Sequence, residues 1–153
     1  MQALGTEIRL TSRLVDSLYV EAMLLADEVR AYFDEGGREE REALPPLLKV
    51  SFSCESLKVT TRLMHVIAWL LTQRAIESGE ISFAQGRAPA RRLGIAADSE
   101  TEMLAGLPES ARVLIEASQD LYARVKRIDE SLERPTVVPS PARGLLNRLE
   151  RAF

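Results

Sequence analysis

No proline or glycine interrupts the chain between Pro46 and Gly79, and that one stretch constrains the fold more than any other. Its apolar and small residues fall at Val50, Cys54, Leu57, Thr61, Met64, Ala68, Leu71 and Ala75, alternately four and three apart. This spacing predicts a long helix with a continuous apolar stripe, and it favours the shallow crossing angle of bundles over a globin-like crossing. Pro45 or Pro46 suits the first helical turn, where a missing N–H has no partner to lose. A second row at Leu63, Ile67 and Leu70 predicts that the helix, over residues 45–78, is central and has neighbours on two sides. It is not a membrane span, because the apolar run from Leu63 to Leu71 contains His65 and has about half of the ~20 residues required.

Two more helices flank it. Leu10, Leu14, Leu18, Ala22, Leu25, Val29 and Tyr32 make one stripe over residues 6–33, and Gly36 and Gly37 are expected to end that helix with positive φ angles. Leu107, Ala111, Leu114, Ala117 or Ser118, Leu121, Val125, Ile128 and Leu132 make the third, opened by Pro108 and closed by Pro135. Gly79 ends the central helix, and residues 80–106 form a connection too long for a tight bundle turn, with Ser82 placed to cap a short helical turn, "SFAQ". The expected architecture is all-α: an antiparallel three-helix bundle over residues 1–134, with a long connection between helices two and three. Residues 135–153 read as a proline-rich linker and a short amphipathic tail, with Leu145, Leu146, Leu149 and Phe153 on one helix face.

Composition narrows the function. The chain has 153 residues, enough for one core without a metal or disulfide, and is 46% hydrophobic but only 5% aromatic, which favours helices. Formal net charge is -3 with no strongly basic run, so nucleic acid is not the expected partner. One cysteine, Cys54, and one histidine, His65, exclude an internal disulfide and a multi-histidine metal site. The N-terminal residues have no uninterrupted apolar segment of a secretory signal, and a cytoplasmic location is expected.

No phosphate-binding glycine loop, zinc motif or nucleophile elbow is present, so neither catalysis nor a cofactor is expected. Cys54 shares the central stripe and reads as core. Thr60 and Thr61 read as self-satisfied helical hydroxyls, and His65 as a structural histidine. Glu35, Glu39, Glu40 and Glu42 surround a turn and read as solvated. Arg87, Arg91 and Arg92 read first as solvated, with a phosphate or an acidic partner as the alternative. Trp69, with Arg62 and Gln73 at helical spacing, reads equally as core and as an amphipathic contact strip.

The stretch "ESLKVTTRLMHVIAWLLTQRAIESGEIS", with "TTRLM", "WLL", "QRA" and "GE" in order, resembles the central helix of the RcdA family, the regulator of CtrA degradation in alphaproteobacteria. "AYFDEGGREE" is similar to that family's first helix end and hinge. The resemblance implies a homodimeric three-helix adaptor with a flexible C-terminal tail, which helps the ClpXP protease engage cell-cycle regulators together with a CpdR-like response regulator. Arg62, Trp69, Gln73 and Arg74 are then candidate partner-binding positions, and Leu145, Leu146, Leu149 and Phe153 a second, tethered contact. The rival expectation is a ligand-binding bundle or cryptic enzyme, in which His65, Thr61 and Arg62 converge on a polar cavity. A third, a DNA-associated regulator using Arg87, Arg91 and Arg92, is opposed by the acidic balance.

Overall fold

Gly79 is the residue that stops the longest helix. Its φ of 79° is the left-handed conformation that a helix end requires, and the amides of Gly79 and Glu80 donate to the carbonyls of Ile76 (3.1 Å) and Ala75 (2.9 Å). These two bonds satisfy carbonyls that the helix would leave orphaned. At the other end Pro45 caps and Pro46 begins the helix, as its missing N–H allows.

The computed structural model describes residues 2–133 and 141–152, and every regular element among them is helical. In chain order they are α1 (Gln2–Ala31), a π-helical turn (Tyr32–Gly36), α2 (Arg38–Glu42), α3 (Pro46–Glu77), α4 (Phe83–Gly86), a 3-10 turn (Pro89–Arg91), α5 (Thr101–Leu104), α6 (Glu109–Glu133) and α7 (Pro141–Ala152). Ser82 caps α4, as the sequence predicts, and Gln85 completes a reciprocal capping box with it. Pro135 lies outside the described residues, as do the side chain of Leu10 and the linker up to residue 140.

Gly36 and Gly37 do not adopt positive φ. Gly37 has φ -91° and its amide donates to the Tyr32 carbonyl (2.6 Å), closing the π turn. A Cβ at Gly37 would stand 2.8 Å from Tyr32 Cζ, so close packing against the ring, not backbone freedom, requires glycine there.

Directions follow from contacts. Arg74 near the end of α3 pairs with Asp16 midway along α1 (3.1 Å), while Phe33 beyond the end of α1 meets Phe52 early in α3 (5.1 Å between rings), so α1 and α3 are antiparallel. Between α3 and α6 the numbers rise together: Arg62 bonds Ser118 (3.2 Å) and Trp69 bonds Asp129 (2.9 Å). Helices α3 and α6 are therefore parallel, which corrects the expected all-antiparallel bundle. The reason is the long connection: a tight turn would reverse the chain, whereas this one carries it back along the bundle, as crossover connections do in other helical bundles.

That return path, residues 87–100, is a strap over the groove between α3 and α6. It passes Asp129, then Tyr122 and His65, then Arg62 and Glu55, in descending order along both helices.

The core draws Val15, Leu18, Ala22 and Val29 from α1, Phe52, Val59, Leu63, Val66, Trp69 and Leu70 from α3, and Leu114, Ile115, Leu121 and Val125 from α6. Leu14, expected inside, is half-exposed, and Val15 is buried in its stead. The larger correction is to α3: Val50, Cys54, Leu57, Thr61, Met64, Ala68 and Leu71, the expected core stripe, are all exposed. Its buried stripe instead contains Glu55, Arg62 and Trp69, each one heptad apart.

Candidate functional site

Arg62, one of the four helix positions expected on a contact surface, is 2% exposed. Burial pushes its guanidinium below the ordinary range, and the charges of Glu55 and Asp98 pull it back. Its Nη1 donates to Ser118 Oγ (3.2 Å), and its Nη2 to the Ala97 carbonyl (2.9 Å) and Ser99 Oγ (2.8 Å). Ser99 in turn donates to Glu55, which also accepts from Lys58 Nζ (3.1 Å). One arginine thus ties α3 to α6 and to the middle of the strap.

Trp69 is buried as well, and its Nε1 donates to Asp129 Oδ1 (2.9 Å). The same carboxylate accepts from Arg87 Nη1 (2.8 Å) and Arg92 Nη2 (3.2 Å), and Arg87 Nη2 also reaches the Asp129 carbonyl (3.0 Å). Arg87 and Arg92, read from the sequence as solvated, are therefore strap anchors, while Arg91 is exposed. Between the two anchor points Tyr122 donates to the Gly94 carbonyl (2.6 Å), and His65 packs so closely on Gly94 that any Cβ there would collide with its ring.

Burial alone would raise the Asp129 pKa, but hydrogen bonds from Arg87 and Trp69 and the charges of Arg87 and Arg92 outweigh it, so the carboxyl is held below its usual range. A depressed pKa contributes stability that is present above the unfolded-state value of about 3.9 and lost as pH falls through the folded-state value. Asp129→Asn is expected to flatten the acid limb of a stability–pH curve measured by urea unfolding from about pH 7 to pH 3. An unchanged slope below about pH 4 would place the critical proton uptake elsewhere.

The two remaining helix positions differ. Arg74 stacks over Tyr19 (4.0 Å from the guanidinium carbon to the ring centroid) while pairing with Asp16, and it stays partly accessible. Gln73 is half-buried, with Nε2 enclosed and without a hydrogen-bond partner among the described residues. Leu145, Leu146 and Leu149 of α7 are exposed, and Phe153 lies outside the described residues. The four helix positions therefore do not form one surface.

Nor do the ligand candidates converge. Thr61 is exposed and donates to the Leu57 carbonyl (2.9 Å), Arg62 points into the core, and His65 lies under the strap. Among the described residues no group of three or more metal-ligating side chains occurs, and no helix is long and apolar enough to cross a membrane.

The surface the chain does present is the opposite face of α3. Leu47, Val50, Cys54, Leu57, Thr61, Met64, Ala68 and Leu71 keep their alternating spacing on the outside, with Leu47, Leu57 and Met64 65–70% exposed. From Leu47 to Ala75 this seam is about 42 Å long at the helical rise. Small residues (Cys54, Thr61, Ala68, Ala75) alternate with large ones (Val50, Leu57, Met64, Leu71), and all of these but the half-buried Ala75 are exposed. An exposed apolar row of this extent marks an interaction surface. Cys54 is exposed on it, not in the core. The 3.5-residue repeat in the sequence marks a packing seam, and the structure turns that seam outward.

A sequence-family model described as "Protein of unknown function (DUF1465)" matches residues 6–153. A search of curated proteins gives no significant match. Among solved structures, the crystal structure of RcdA from Caulobacter crescentus CB15 is similar, with 34% sequence identity and a TM-score of 0.63 over 77% of this chain and 89% of that one.

Proposed function

We propose, from the premise that this RcdA-like chain belongs to the DUF1465 family, that it is a non-enzymatic adaptor in regulated proteolysis. In this reading it works in the cytoplasm, helping ClpXP engage cell-cycle regulator substrates alongside a CpdR-like response regulator. The observation that carries the reading is the apolar seam of α3, a surface built for another protein and not for a small molecule. Polar side chains that could have served chemistry, Arg62 and Asp129 among them, are spent on holding the strap.

The seam also supports a homodimer. An antiparallel pairing of two α3 helices about a two-fold axis near residues 62–63 sets Thr61 against Met64, Leu57 against Ala68, Cys54 against Leu71 and Val50 against Ala75 of the second copy. Every layer then joins a small residue to a large one, so the two rows interdigitate without voids. Parallel pairing would stack large on large and small on small. Arg74 and the α7 leucines, together with Phe153, supply additional partner contacts in this scheme.

A reconstituted degradation assay tests the adaptor role. Adding this protein to ClpXP, CpdR and a candidate regulator is expected to accelerate loss of the regulator, and removing residues 141–153 is expected to slow delivery while leaving the helical body folded. No acceleration across a panel of substrates would reduce the protein to a helical binding module outside this pathway.

A further inference from the structure

The strap covers the groove between α3 and α6, and α1 meets α3 through the Arg74–Asp16 ion pair and a cavity of about 330 Å³ beside Val29 and Leu63. The groove between α1 and α6 is bridged midway by the Arg124–Glu21 ion pair and opens on either side of it. It runs from Leu14 and Ile128 at one end, past Leu24 and Ala117, to a cavity of about 680 Å³ beside Val113 at the other. Glu28 and Glu109 line that cavity, and neither has an ion-pair partner among the described residues.

We propose that this groove is the seat of the chain's own α7. Helix α7 has an exposed apolar row, Leu145, Leu146 and Leu149, and basic residues, Arg148 and Arg151, in its second half. Turned back along α6, it lays the leucines on the groove floor and brings those arginines to the end where Glu28 and Glu109 stand.

The tether permits it. Residues 134–140 separate α6 from α7, and seven residues reach about 25 Å when extended. Arg148 and Arg151 lie about 11–15 Å into α7, whereas Glu109 lies about 36 Å back along α6 from its end, at 1.5 Å per residue. The reach is sufficient in this direction only if α7 runs antiparallel to α6, the same direction that matches the charges. Seated there, α7 completes a four-helix arrangement, and its leucines meet an outside partner only when it leaves the groove. The assignment does not depend on a protease role.

Hydrogen exchange on the full chain tests it. Backbone amides of residues 141–152 are expected to exchange at least about tenfold more slowly in the parent than in Val113→Glu, a substitution at an exposed position that puts a charge on the groove floor. Equal exchange in the two proteins would overturn the proposal. A cysteine pair, Val113→Cys with Leu149→Cys in a Cys54→Ser background, is expected to close as a monomer-sized disulfide, faster than Lys126→Cys with Leu149→Cys. A disulfide-linked dimer would assign the groove to a second copy's tail, and equal rates for the two pairs would show an unseated tail; either result rejects the intramolecular seat.

Discussion

Arg62→Leu is expected to lower the unfolding free energy by about 3–5 kcal/mol, the usual cost of removing one partner from a buried charged network. Leucine cannot replace any of the three hydrogen bonds, and the Ala97 carbonyl, Ser99 and Ser118 lose their common donor. Glu55, itself 3% exposed, keeps Lys58 but loses the neighbouring guanidinium, which sets the expected loss toward the lower end. Against a total stability of about 5–15 kcal/mol for a domain, this is a large fraction. Urea midpoints for Arg62→Leu, Glu55→Gln and the double variant would show a coupling of about 0.5–3 kcal/mol if the two residues act as one network. A midpoint within experimental error of the parent would mean that the strap is not held from below.

Leu57→Asp is expected to leave the helical content and thermal midpoint nearly unchanged while abolishing the proposed pairing of two α3 helices. The residue is 69% exposed in the single chain, so the charge costs the fold little. In a two-fold pair each copy loses a leucine worth about 1.5–3 kcal/mol and gains a carboxylate to desolvate, so the dimer weakens by at least about 3 kcal/mol, or roughly a hundredfold. Sedimentation equilibrium distinguishes the outcomes: the variant should have the monomer mass at concentrations where the parent has twice that mass. A variant that sediments like the parent would remove α3 from the self-association surface.

Helix boundaries were legible because they rest on local chemistry: the proline pair, Gly79 and the Ser82 capping box act within a few residues of themselves. The facing of α3 was not, because both of its sides carry apolar rows and the charged residues fall on the inner one. Arg62 is at home in the interior because the strap, 35 residues further on, supplies a carbonyl and a hydroxyl, and Ser118 of α6 a second hydroxyl, to receive it. No local pattern encodes that. Glu55, Arg62 and Trp69 at seven-residue spacing were the visible trace of an inner polar stripe, outweighed by the expectation that charge faces water. The direction of α6 was likewise present only as the length of the connection before it.

Parallel pairing of α3 with α6 has a kinetic consequence. Contacts between them join residues 56 and 60 positions apart at two levels of the pair, so no level can close first and zip the rest from a short turn. The antiparallel α1–α3 pair, by contrast, meets across the short segment from Phe33 to Phe52 and can grow outward from it. Loop closure over long separations is the slow part of folding. The α1–α3 hairpin should therefore assemble early, with α6 arriving late and the strap locking last, so that a nascent chain exposes the inner polar stripe of α3 until its final third has been made.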